Sequence, residues 1–333
     1  MRQLYFLVPG TGGKFACGGL FAELKTCNLA KQICPASVVT YQQREQGTLF
    51  LEDLLTQRSL DDAIFVISWG FDVPKLAKRL QSCNVIYHAH SAEYGFRLPS
   101  SIPIITVSRN TMGYWGQRSP HSLIYYLPNQ ISDEFHNRHQ ERDINVLVQA
   151  RKSSTYLMTR LIPELKQHCE VCVIDSFVED LGGLFNRAKV YLYDSAEYWA
   201  VQGVTEGLGL QPLEAMACGC QVFSSVNHGL SDYLDPGFNC QKIAGYSLEY
   251  DVQRILGAIQ HENPIAVSDE FLAEYRTENI TRRLTIILTE VNRFFDNKQK
   301  AVYRIPDLDA PAILRLRWQR LLAKVRQKLG GKK

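Results

Sequence analysis

The chain lays down one plan twice. A continuous apolar run, Leu4-Tyr5-Phe6-Leu7-Val8, leads into a glycine-bearing turn and then a helix-like stretch from about Leu20 to Ile33. Later, Ile144-Asn145-Val146-Leu147-Val148 leads into a polar turn, Ala150-Arg151-Lys152-Ser153-Ser154, and another helix-like stretch. Short apolar runs of this kind need cover on both faces, which a parallel sheet with crossover helices supplies. Runs at Ala63–Ser68, Asn84–Tyr87 and Ile104–Val107 continue the first half, and Cys169–Ile174, Val190–Tyr193 and Gln221–Ser224 the second. Between the halves, Leu127-Pro128-Asn129-Gln130 opens a polar stretch reaching Asp143, which reads as a hinge. The expected fold is α/β: two Rossmann-like domains, residues 1–140 and 141–290, facing a central cleft, with 291–333 as a helical extension. Ligands of such sheets sit beyond the carboxyl ends of the strands.

Length and composition agree with this division. The 333 residues suffice for two cores, and 45% hydrophobic with 21% charged residues is ordinary for a globular protein. No apolar run approaches the roughly 18 residues of a membrane helix, and the stretch after Met1 is too short for a signal peptide. Nine scattered cysteines, an odd number, point to reduced thiols and a cytoplasmic setting. Cys169-Glu170-Val171-Cys172 opens a strand-like run, where a redox motif would open a helix, and no second pair completes a zinc set.

The most chemical stretch is residues 206–219, Glu-Gly-Leu-Gly-Leu-Gln-Pro-Leu-Glu-Ala-Met-Ala-Cys-Gly. Gly207 and Gly209 let backbone N–H groups come close to a ligand. Pro212 suits the first position of a helix and Gly219 a left-handed cap, so a helix from Pro212 to Cys218 is expected, with Glu214 in its first turn. A helix N-terminus attracts phosphate, and carboxylates accept hydrogen bonds from hydroxyls. Glu206 and Glu214 flanking such a turn suit a ligand with both groups, as a nucleotide sugar has.

This string resembles the E-x7-E donor-site motif of retaining GT-B glycosyltransferases, often called family 4. The likeness takes in both glutamates, the Gly-x-Gly turn, the proline and the Glu-Ala-Met-Ala-Cys-Gly helix, and the GT-B plan would span roughly residues 1–290. It implies that Glu214 holds the ribose hydroxyls. It also implies that Glu206, with the backbone at Gly207, Leu208, Gly209 and Leu210, holds the transferring sugar. Arg151 and Lys152, two cations at a strand's carboxyl end, suit a diphosphate. The family places an Arg in this turn and a Lys a few residues on; here position 156 is tyrosine, so Lys152 is the stand-in. Gly10-Thr11-Gly12-Gly13 resembles the family's N-terminal glycine loop, with Gly12 and Gly13 near the donor. It fails both the dinucleotide and the P-loop patterns. His88-Ala89-His90 ends a strand, so both rings share a face. The family often has a histidine there, with His90 first choice and His88 second. The sequence points to no third metal ligand, so no metal is expected, nor a cofactor. Ser176–Leu181 resembles the segment that meets the donor's base.

The tail is a separate signal. Ile313–Lys333 holds eight basic residues and no acidic one in a chain of net charge +3, so the remainder carries −5. Leu314, Trp318, Leu321, Leu322, Val325 and Leu329 recur at helical spacing, while Arg315, Arg317, Arg320, Lys324, Arg326 and Lys328 flank or oppose them. A basic amphipathic helix reads as a binder of an anionic membrane surface. The competing reading packs it on the N-terminal domain, as the last helix of GT-B proteins packs. Nucleic acid is not expected, since the charge is confined to one tail. The expected partners are a nucleotide-sugar donor and a hydroxyl acceptor, free or lipid-linked. The rival readings are a non-catalytic sugar-nucleotide-binding subunit and another GT-B activity such as an epimerase.

Overall fold

The structure is a computed structural model that describes residues 1–56, 60, 62–260, 267–298 and 308–330. Two parallel sheets organise it. The first contains β1 (Gln3–Val8), β2 (Ala36–Thr40), β3 (Leu49–Phe50), β4 (Ala63–Ile67), β5 (Asn84–Ala89), β6 (Ile104–Thr106) and β7 (Ile124–Tyr126), in the order β3-β2-β1-β4-β5-β6-β7. The second contains β8 (Ile144–Gln149), β9 (Val171–Ile174), β10 (Ala188–Tyr193), β11 (Gln221–Ser224) and β12 (Gln241–Lys242), in the order β12-β11-β10-β8-β9. The expected apolar runs form β1, β4, β5, β6, β8, β9, β10 and β11. All of β4 is buried, as are Val146, Leu147 and Val148 of β8.

The helix at residues 206–219 differs from expectation by two positions. It runs Leu210–Ala217, so Pro212 is its third residue and Glu214 stands past the first turn. Pro212 is tolerated there because the first four helical N–H groups have no intrahelical partner anyway. The start is set by Gly209 at φ +77°. The end is a Schellman turn: Gly219, at φ +83°, donates to Met216 O (2.9 Å), and Cys220 N donates to Ala215 O (2.9 Å).

The expected boundary at 290 falls inside one helix, Thr277–Lys298. That helix buries Ile280, Leu284, Ile287, Leu288, Val291 and Phe295 against Leu4, Phe6 and Cys27 of the first half. Each such side chain contributes roughly 1.5–3 kcal/mol. Arg2 fastens it further, donating to Asn292 O (3.1 Å) and pairing with Asp296 (2.7 Å). The chain therefore crosses back to its first sheet well before the basic tail. The tail itself is a helix, Ala310–Gly330, and every residue from Ile313 to Gln327 is exposed. Lys332 and Lys333 lie outside the described residues. Among the described residues, no helix is long and apolar enough to cross a membrane. All nine cysteines are free thiols.

Candidate active site

A cavity of about 510 Å³ opens between the sheets at the carboxyl ends of their strands. Val8 ends β1 and Ser68 follows β4, the pair at which the first sheet's strand order reverses. Gln149 ends β8 and Tyr193 ends β10, the corresponding pair in the second sheet. Crevices at such reversals are where open α/β sheets bind ligands.

Glu206 is buried in the wall and braced from three sides. Its Oε2 accepts from Tyr193 Oη and from Trp199 Nε1, each at 2.6 Å. Its Oε1 faces Lys152 Nζ at 3.7 Å. Lys152 holds φ +72° and lays its ammonium over the Trp199 ring, 4.5 Å from the centroid. The left-handed backbone at a lysine is a strained conformation that aims the side chain inward. Arg151 also lines the cavity but is exposed, with no hydrogen bond or ion pair among the described residues. Tyr156 turns its hydroxyl away to Asp251 Oδ2 (3.0 Å), so it does not replace the missing lysine.

Glu214 is 6% exposed, and its carboxyl has no hydrogen bond or ion pair among the described residues. Burial pushes its carboxyl up to about 7, against a lowering by Lys25 and with a further rise from Glu134. Lys25, on the Gly18–Ala30 helix, lines the same cavity, a third cation that its helical position did not reveal.

Gly207 is where the halves touch. A Cβ there would stand 1.9 Å from the carbonyl oxygen of His90. Beside it, Ser91 Oγ donates to Thr205 O (2.6 Å) and Ala92 N to Thr205 Oγ1 (2.9 Å). Leu208, Gly209 and Leu210 follow along the wall. A Cβ on Gly209 would meet Leu230 Cδ2 at 2.3 Å, so close packing and positive φ both require glycine.

His88 and His90 do share a face. Both rings point at one carboxylate oxygen, Glu23 Oε2, at 2.5 Å from His88 Nδ1 and 2.8 Å from His90 Nε2. Burial pushes the Glu23 carboxyl up, but the charge and hydrogen bonds of His88 and His90 outweigh it and hold it at about 2. Burial and the neighbouring His88 push His90 down, so it is neutral near pH 7. Glu23 is thus the third ligand type that the sequence did not point to, and the three groups could hold a metal ion. The contacts speak for a hydrogen-bonded cluster instead. The facing atoms already bond one another, and among the described residues His88 Nε2 and His90 Nδ1 lack the outer partners that orient metal-bound imidazoles.

The first glycine loop is not part of the wall. Gly12 and Gly13 lie outside the cavity lining, and Cys17, Gly18 and Gly19 at the start of the next helix take that place. The loop is bonded instead to Glu45, whose carboxylate accepts from Thr11 N (2.9 Å). Of the Ser176–Leu181 segment, Leu181 reaches the cavity. Phe21, Trp69, Phe71 and Tyr94 line the first-half side, with Phe71 72% exposed and 5.0 Å from Tyr94, ring to ring.

Residues 140–258 match the family described as glycosyl transferases group 1. No curated protein matches the chain. Among solved structures, the chain is similar to Anabaena HepE in complex with UDP: TM-score 0.61, 14% identity, 87% of this chain and 100% of that one. It is also similar to a glycosyltransferase from Rickettsia africae (TM-score 0.57, 10% identity, 90% and 97% covered). Sucrose-phosphate synthase from Thermosynechococcus elongatus is comparable (TM-score 0.54, 14% identity, 97% and 100% covered). The chain has the GT-B fold, and its residues 140–258 match the group 1 glycosyl transferase family.

Proposed function

We propose that the protein is a retaining glycosyltransferase that moves a sugar from a nucleotide diphosphate sugar to a hydroxyl acceptor. The observation that carries this reading is the convergence on one cavity of Glu206, Glu214, Arg151, Lys152 and the 207–210 backbone from one side and His90 from the other. Residues 141 to about 276 take the donor and the first sheet takes the acceptor. Glu214 accepts from the ribose hydroxyls. Glu206, held by Tyr193 and Trp199, accepts from hydroxyls of the transferring sugar. Arg151 and Lys152 offset the charge that develops on the departing diphosphate, the largest electrostatic demand of the step. His90 meets the sugar from the opposite side, and Glu23 fixes its ring. The exposed aromatic faces of Phe21 and Phe71 suit the apolar face of an acceptor sugar or its lipid carrier.

In the reaction, the bond from the sugar's anomeric carbon to the phosphate oxygen breaks. A bond to the acceptor oxygen forms on the same face, and the acceptor's proton passes to the departing phosphate. No protein nucleophile and no metal enters. HepE structures hold UDP and UDP-glucose, which puts uridine donors first in the test. The test is release of nucleoside diphosphate from UDP-, GDP- and ADP-sugars, with the product's anomer read by NMR. Thermal shifts with the free nucleotides run in parallel. Glu214→Ala is expected to weaken nucleotide binding roughly ten- to a hundredfold, the value of a charged hydrogen bond. Unchanged affinity removes Glu214 from the ribose role, and an inverted product removes the retaining step.

One observation favours a second reading, a non-catalytic nucleotide-sugar-binding subunit: Tyr156 occupies the lysine position and points away from the cavity. Nucleotide binding without turnover of any donor would decide for it.

A further inference from the structure

We propose that the Ala310–Gly330 helix seats the protein on an anionic lipid surface, lying in the headgroup plane. The alternative home for this helix, the first half's core, is already filled by Thr277–Lys298. The tail helix is left uncovered. Leu314, Trp318, Leu321, Leu322 and Val325 are 46–57% exposed, and every side chain between Ile313 and Gln327 is exposed.

At 3.6 residues per turn these five side chains occupy one stripe about 100° wide. Arg317 and Lys324 border one edge, and Arg315 and Arg326 the other. No acidic residue falls between Ala310 and Gly330. An apolar stripe between two cationic edges matches the boundary of acyl chains and anionic headgroups, where the stripe is buried and both edges are paired. The rest of the chain carries −5, so the attraction belongs to this helix and not to the whole surface. The same pattern disfavours other occupants. A second copy laid stripe to stripe would bring like charges together along both edges, and a nucleic acid would take the cations but leave Trp318 and the leucines in water.

Binding of the full chain to sedimented vesicles tests this, comparing phosphatidylglycerol-containing with pure phosphatidylcholine vesicles at low salt. The chain should pellet with the anionic vesicles. Each basic side chain at such a surface multiplies partitioning about fivefold, so the triple variant R317Q/K324Q/R326Q should lose on the order of a hundredfold. Trp318→Glu should lose binding through the apolar stripe. Both variants should keep the nucleotide-induced thermal shift of the parent, because their positions are outside the cavity lining. This reading therefore stands or falls separately from the sugar-transfer reading. Four results would overturn it: a chain that stays in the supernatant with both vesicles, binding indifferent to lipid charge, a triple variant that binds like the parent, or a dimer in analytical sedimentation that Trp318→Glu dissociates.

Discussion

Glu214→Gln should make the empty protein more stable and its nucleotide complex weaker. The carboxyl is 6% exposed, and burial moves it from an ordinary 4.5 to about 7. Below pH 4.5 the side chain is protonated folded or unfolded, so it costs nothing. Between 4.5 and 7 the folded chain keeps a proton that the unfolded chain releases, and stability falls as pH rises. Above 7 the full cost is present. At 1.36 kcal/mol per pH unit the gap is on the order of 3 kcal/mol. Glutamine has the same shape and no charge, so it removes this cost without leaving a cavity. Urea denaturation at pH 8.5 should show the variant more stable by up to about 3 kcal/mol, and the two proteins nearly equal at pH 5. Nucleotide affinity of the parent should rise as pH passes through about 7 and the carboxylate forms, while that of Glu214→Gln stays flat and about tenfold lower at pH 8.5. A variant less stable than the parent at pH 8.5 would mean that the carboxylate is satisfied in the folded chain, and the argument fails. A parent affinity independent of pH would detach the carboxylate from nucleotide binding.

The other expectations test the remaining walls of the cavity. Lys152→Ala should lower kcat on the order of a hundredfold with little change in KM, because the ammonium meets a charge that grows in the transition state; equal effects on both constants would assign it to ground-state binding. Gly207→Ala puts a methyl 1.9 Å from a backbone oxygen of the other half, so the halves must part. Small-angle scattering should show a larger radius of gyration with unchanged far-UV circular dichroism, and an unaltered radius would refute the contact. In Glu23→Gln the stabilisation by His88 and His90 is gone. The parent, whose Glu23 is held at about 2, should exceed the variant above pH 4.5 by a few kcal/mol and lose that lead as pH falls toward 2. Denaturation curves at pH 3 and pH 6 with the same separation would sink this reading.

What the sequence made readable was what is fixed locally or repeated. The central strands announce themselves because both faces are buried and nearly every residue is apolar, as in Ala63–Ile67. Residues 206–219 were legible because turn, helix and cap are made by their own glycines and proline. The strands passed over are β2, β3, β7 and β12, which lie toward the sheet margins. β3 and β12 are two residues each, and none of β7 is fully buried, so no long apolar run marks them. Pro212 was set two places off because lack of an N–H is tolerated anywhere in the first turn, so proline fixes a turn and not a position.

The site shows a sharper limit. Glu206 and Glu214 carry their context with them, but the partners that give each its chemistry arrive from elsewhere. Glu23 is 65 residues from His88 and sits on a helix where a carboxylate is unremarkable, and nothing nearby says that it is 1% exposed and faces two imidazoles. Lys25, two residues on, is equally ordinary until the fold sets it in the cavity near Glu214. The position of Gly12 and Gly13 outside the cavity lining has the same origin. Both glycine pairs, 12–13 and 18–19, follow β1 and suit a close approach to ligand, yet 18–19 lines the cavity while the turn before 12–13 is bonded to Glu45, 34 residues on from Thr11. A motif therefore fixes which backbone can come near a ligand. Which cations and carboxylates gather around that backbone is decided by strand order, and here β1 beside β4 and β8 beside β10 bring them together.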